Sequence, residues 1–240
     1  MPPGGEKTEK ATPKKRRDER KKGNVFLSKD AIAVVTLFST FLTLKLLAGG
    51  IAENINDFFR LCLQYSQDVP TGQASPLFRQ VFQAGALVFL KSAGPILGIS
   101  IVAAVAATFF QTKMLATPEA LKPKLNRISP IQGFKKLFSL KSIVDALKGI
   151  LKIALLLVII YYFLENMMIH FFNYLNTELG YACSHLFQNS MTMVFQILVA
   201  FTILAGFAFY FQWWDYERKL KMSKQEVKEE YKQVEGDPKI

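Results

Sequence analysis

Apolar and polar positions along this chain separate into long blocks instead of alternating over short ones. Apolar blocks at about 31–52, 84–110, 143–164 and 190–210 each predict a helix that crosses a membrane. The stretch Ser92–Thr112 is 21 residues without a formal charge. As a helix it reaches about 31 Å, the thickness of a bilayer core. Leu179–Trp214 is longer still and carries no Lys, Arg, Asp or Glu. The pattern predicts an all-α integral membrane fold. It has a basic arm at 1–30, a four-helix membrane domain over 31–214 with a loop at 111–141, and the start of a charged linker helix at 215–240.

Local signals refine the blocks. In the arm, Thr12 is placed to cap a short helix with Pro13 in its first turn, and Gly23 to close it; with so little apolar surface the rest should be mobile or ordered by a partner. Lys45 near the end of the first span fits a side chain snorkelling to the headgroups, and Pro70, Gly72 and Pro76 mark 53–83 as a loop. The second span contains Gly94, Pro95 and Gly98, a proline kink inside a G-x-x-x-G pair that suits close helix packing. In the loop 111–141, Ser129–Pro130 should start a short helix carrying Phe134, Leu137 and Phe138 on one side and Lys135 and Lys136 on the other. Ser142 and Asp145 suit a capping box for the third helix, on which Lys141, Asp145, Lys148 and Lys152 recur as one polar stripe. Residues 165–188 read as a second outer loop or a pair of interfacial helices. After the fourth span, Gln212-Trp213-Trp214 forms an aromatic belt. A charged helix follows, with Asp215–Lys219 and Glu217–Lys221 as i,i+4 pairs and Gly236 and Pro238 as its stop.

The net charge of +11 invites a nucleic-acid partner, but its distribution argues against one. Lys plus Arg number ten in 1–30, two in 53–83, seven in 111–141, none in 165–190 and seven in 215–240. That alternation is the positive-inside signature, and it places the arm, the central loop and the tail in the cytoplasm.

Candidate chemistry is sparse. No nucleotide-binding G-x-x-x-x-G-K-[ST], zinc-binding H-E-x-x-H or nucleophile-elbow G-x-S-x-G occurs, and His170 and His185 have no catalytic neighbours in sequence. No catalytic residue, metal site or cofactor is therefore expected. Cys62 and Cys183 have no metal-ligand spacing, and a disulfide between them stays open. The interrupted second helix also admits a stand-alone small-molecule transporter or permease subunit, with Gly94, Pro95 and Gly98 lining a site.

Three stretches together resemble the export-gate switch proteins of type III secretion, the FlhB/SctU family. They are Glu6-Lys7-Thr8-Glu9 with Thr12-Pro13-Lys14-Lys15 and Lys22-Gly23; Leu121-Lys122-Pro123-Lys124-Leu125 with Pro130 through Ser139; and Lys221 through Tyr231 with Glu235-Gly236-Asp237-Pro238. The tail resembles flagellar members more than injectisome members. Ser129 and Asn24 are small departures, standing where the family usually has Asn and Gln. The large one is that these residues contain no Asn-Pro, whereas the family carries a self-cleaving Asn-Pro-Thr-His domain. The chain is thus expected to be the membrane portion of a longer protein and to have no enzymatic activity of its own. The resemblance implies a multi-pass protein of the bacterial cytoplasmic membrane. It implies a central loop, with Pro123, Pro130, Gly133, Phe134, Leu137 and Phe138, laid against a FliP/FliQ/FliR-type core at the cytoplasmic entrance. Other export components and secreted protein substrates would be further partners, and the role would include switching between substrate classes.

Overall fold

The computed structural model describes residues 7–67, 74–114, 140–174 and 176–235. These residues form α1 (Pro13–Lys21), α2 (Lys29–Gln67), α3 (Ala74–Thr112), α4 (Leu140–Tyr174), α5 (Leu179–Leu220) and α6 (Lys224–Glu235). Among the described residues there is no strand, only one antiparallel bridge between Glu9 and Met222.

Thr12 caps α1 as its sequence suggests. Its hydroxyl accepts from the Lys15 amide at 3.1 Å, and Gly23 takes φ 79° beyond the helix end, a conformation that costs glycine nothing. Ser28 stands before α2, its hydroxyl accepting from the Ala31 amide at 3.5 Å.

The long helices exceed their apolar blocks. α2 and α3 each have 39 residues, about 58 Å. From Glu53 to Gln67, expected as loop, the chain stays helical, because no Gly or Pro interrupts it and Ile55, Phe58, Leu61 and Cys62 continue at helical spacing. α3 in turn begins before Pro76, which its first turn tolerates. α4 starts at Leu140, so Ser142 lies inside its first turn instead of capping it. α4 and α5 likewise run through most of 165–188, so of the two readings of that stretch it is the helices, not the loop, that form. Cys62 and Cys183 are free thiols.

Among the described residues, three helices, over Lys29–Tyr65, Phe78–Thr112 and Leu179–Leu220, are long and apolar enough to cross a membrane. Their large side chains are widely exposed, Phe78, Phe89, Phe110, Ile203 and Phe207 among them. Apolar surface on that scale requires lipid or another protein as its cover.

The chain divides into two compact units. One joins Met1–Ala31, Thr108–Lys152 and Ile203–Ile240; the other joins Ile32–Ala107 and Ile153–Thr202. In the second, Phe38 meets Phe195 edge-on at 5.8 Å, and the Lys45 ammonium lies 5.1 Å over the same Phe195 ring. Lys45 therefore has an aromatic partner where snorkelling was expected. His185 accepts or donates at Tyr174 Oη, 2.6 Å away, so it is held by neighbours as a structural residue would be. In the first unit the buried side chains include Ser28, Leu220, Met222 and Ser223. They mark a packed junction between the arm and the tail.

Candidate functional site

The arm and the tail meet through backbone first. The Glu9 amide donates to the Met222 carbonyl at 3.0 Å, and the Met222 amide donates back to Glu9 at 3.0 Å. Met222 can offer its backbone because the chain breaks helix there: α5 ends at Leu220 and α6 begins at Lys224. Ser223 makes that restart possible. Its hydroxyl accepts from the Glu226 amide at 3.2 Å, while its own amide donates to Glu226 Oε2 at 3.1 Å. This reciprocal pair is a capping box, spelled S-x-x-E at 223–226, and the expectation of one continuous tail helix overlooked it.

Side chains then fasten the two segments. Arg16 donates both terminal nitrogens to the two Glu217 oxygens, each at 2.7 Å, a bidentate fork. The Glu217 carboxylate holds the Arg16 guanidinium above its usual pKa. Glu217 was expected to pair with Lys221 along its own helix; the planar Arg16 fork takes it instead. The expected Asp215–Lys219 pair does form, at 2.5 Å. Thr12 Oγ1 donates to Glu230 Oε2 at 2.7 Å, linking the α1 cap to α6.

An apolar anchor lies beneath the charges. Phe26 packs edge-on against Phe209 at 4.8 Å and against Tyr216 at 6.0 Å, and the Tyr216 hydroxyl donates to the Asn24 carbonyl at 3.2 Å. Asn24 also donates to Glu19 at 2.8 Å, and that bond, helped by Lys22, holds the Glu19 carboxyl below its usual pKa. Ser28 and Gln111 exchange bonds, the Ser28 amide donating to Gln111 Oε1 at 2.7 Å and Gln111 Nε2 to the Ser28 carbonyl at 3.4 Å. Arg20 reaches the carbonyls of Thr112 and Lys113 at 3.5 and 3.4 Å, where α3 ends. The described part of the arm, from Lys7 on, is thus held by contacts within this chain, where sequence composition suggested mobility or another partner.

The polar stripe on α4 acquires counterparts. Lys152 pairs with Asp30 at the start of α2, and Lys148 pairs with Asp145 at 3.4 Å while its ammonium lies 5.2 Å over the Phe211 ring. Nothing in the sequence singled out Asp30, because one aspartate among many carries no local signal.

The remaining expected site residues divide in two. Pro123, Pro130, Gly133, Phe134, Leu137 and Phe138 lie outside the described residues. Gly94, Pro95 and Gly98 stand inside α3. A Cβ built on Gly98 would meet nothing within 4 Å, and one on Gly94 only Leu90 of the same helix at 3.8 Å. By contrast Gly85, which sequence reading passed over, approaches the Phe58 ring, at 3.2 Å from a Cβ position. Among the described residues no group of three His, Cys, Asp or Glu could hold a metal ion. The geometry of the described residues is that of a fastening between the arm and the tail.

The family described as "FlhB HrpN YscU SpaS Family" matches residues 5–240. The chain is similar to the flagellar biosynthetic protein FlhB of Bacillus subtilis (strain 168), 35% identical over 239 residues, covering 98% of this chain and 64% of that protein. It is also similar to the Yop proteins translocation protein U of Yersinia pestis, 32% identical over 236 residues, covering 98% and 66% respectively. The secretion system apparatus protein SsaU of Salmonella typhimurium is 31% identical over 244 residues, again covering 98% and 66%. The chain spans just under two thirds of the length of these relatives.

Proposed function

Because this chain belongs to the FlhB HrpN YscU SpaS family, we propose that it is a subunit of a bacterial flagellar-type (type III) protein export gate. In this reading it crosses the cytoplasmic membrane four times, α4 supplying the fourth span, with both termini in the cytoplasm. Its central loop contacts a FliP/FliQ/FliR-type core at the cytoplasmic entrance. The tail leads towards whatever contributes to switching between substrate classes.

The observation that carries the reading is the family match, which runs through the arm, the apolar helices and the tail in one register over residues 5–240. The relatives named above have flagellar, protein-translocation or secretion names, so the alternative of a stand-alone carrier has no support in them. The open face over Gly98 suits a neighbouring helix from another subunit, since small residues let backbones approach in lipid.

The test is co-purification in detergent of the core gate subunits with this chain and with its Phe134→Ala/Phe138→Ala variant. Burial of each ring contributes roughly 1.5–3 kcal/mol, so the double variant should lose most of the recovered core. Undiminished recovery would remove the loop's apolar face from the proposal, and no recovery with the unaltered chain would remove the gate itself.

A further inference from the structure

Within the first unit, where α2 begins and α5 ends, the side chains enclose a cleft of about 530 Å³. Lys29, Lys148, Lys152 and Lys219 border it, against Asp30, Asp145 and Asp215. Lys152 is committed to Asp30, and Lys219 to Asp215. Lys148 has only Asp145, at 3.4 Å, as an ionic partner beside its contact with the Phe211 ring, and Lys29 has no ionic partner among the described residues. The cleft therefore keeps positive charge that its own acids do not neutralise.

A second observation concerns Gln212 on its wall. Its Nε2 donates weakly to Asp30 at 3.5 Å, while Oε1 is buried and receives no donor among the described residues. A buried carbonyl oxygen without a donor is costly, and a ligand hydroxyl would satisfy it. Trp213 and Trp214 follow directly in α5, partly exposed, as interfacial aromatics are.

We propose that this cleft binds the headgroup of an anionic glycerophospholipid. The phosphodiester lies against Lys29 and Lys148, and a headgroup hydroxyl donates to Gln212 Oε1. The phosphate chemistry alone would also suit a free phosphate. The hydroxyl and the adjoining Phe211 ring favour the lipid, whose first acyl carbons would rest on the aromatic side of the cleft. The inference rests on the reading that these helix ends meet the cytoplasmic membrane surface; it does not require the gate partners.

The test is native mass spectrometry of the full chain released from detergent micelles doped with phosphatidylglycerol or with phosphatidylcholine, and with inorganic phosphate as competitor. Phosphatidylglycerol should be retained selectively, and phosphate should not displace it. Near a surface each lysine contributes about fivefold to anionic-lipid affinity, so Lys29→Gln/Lys148→Gln should weaken retention about 30-fold. Lys91→Gln, on α3, should leave it unchanged, and unaltered helicity by circular dichroism would show that the double variant is folded. Equal retention of phosphatidylcholine, full displacement by phosphate, or a folded double variant with undiminished retention would each overturn the proposal. No other subunit is present in the assay, so a failure here is separate from a failure of the export-gate reading.

Discussion

Neutralising Arg16 tests whether the arm is held to the tail by its fork to Glu217. Both bonds are 2.7 Å, but the side chains retain 42% and 28% of their exposure, so solvent screens the pair. Exposed pairs contribute about 0.2–1 kcal/mol, and the bidentate geometry places this one near the upper end, about 1 kcal/mol. That is about a fivefold change in the equilibrium between docked and released arm. The reporters are the amides of Glu9 and Met222, each closed onto the other residue's carbonyl at 3.0 Å and opened only when the arm leaves. Hydrogen exchange followed by mass spectrometry should show both amides exchanging about fivefold faster in Arg16→Gln. Glu217→Gln should match it, and the double variant should be no faster than either single one, because all three lose the same interaction. Single effects that multiply to about 25-fold in the double variant would refute the pairing, as would amides indifferent to both substitutions.

Two further outcomes follow from geometry already described. Ser223→Ala removes one half of the capping box and should cost about 1 kcal/mol, visible as faster exchange at the Glu226 and Val227 amides; unchanged protection there would show that α6 starts without the cap. In intact spheroplasts an impermeant thiol reagent should label the exposed Cys183, and reporters fused to either terminus should read as cytoplasmic; outside labelling of a terminus would overturn the proposed topology.

Signals that act within one turn were legible in the sequence. The Thr12-Pro13 start of α1, the Gly23 stop and the Asp215–Lys219 pair need only neighbours three or four positions away, and all three form. Polarity along the sequence understates the lengths of α2 and α3. Glu53, Asn54 and Asp57 are polar, yet a helix leaving lipid has no reason to unwind without Gly or Pro. Ser223-x-x-Glu226 was readable and passed over, hidden by the apolar periodicity that seemed to carry the helix through it. The fastening of Arg16 to Glu217 and of Asp30 to Lys152 was not readable. Arg16 has many basic neighbours and the tail several acids, and only the folded chain selects one partner from each set. Phe26 sat in an arm whose composition argued for disorder, and one aromatic there gave no hint that Phe209 and Tyr216 would receive it.

The arm–tail junction also has a place in time. Thr12 and Glu230 are 218 positions apart, so the two halves of this fastening leave the ribosome far apart in time. At about 5–20 residues per second the interval is roughly 10–40 s. Throughout it, Arg16 has no Glu217 to hold and Glu9 no Met222 backbone to bridge. In the proposed topology, the uncompensated cations of the nascent arm then oppose its translocation while the apolar helices enter the bilayer, a use for the same charges that precedes their pairing. Because closing so long a loop adds an entropic cost that grows only with the logarithm of its length, the junction can wait for α6 and still close. A chain whose arm is docked is therefore one whose synthesis has passed residue 230.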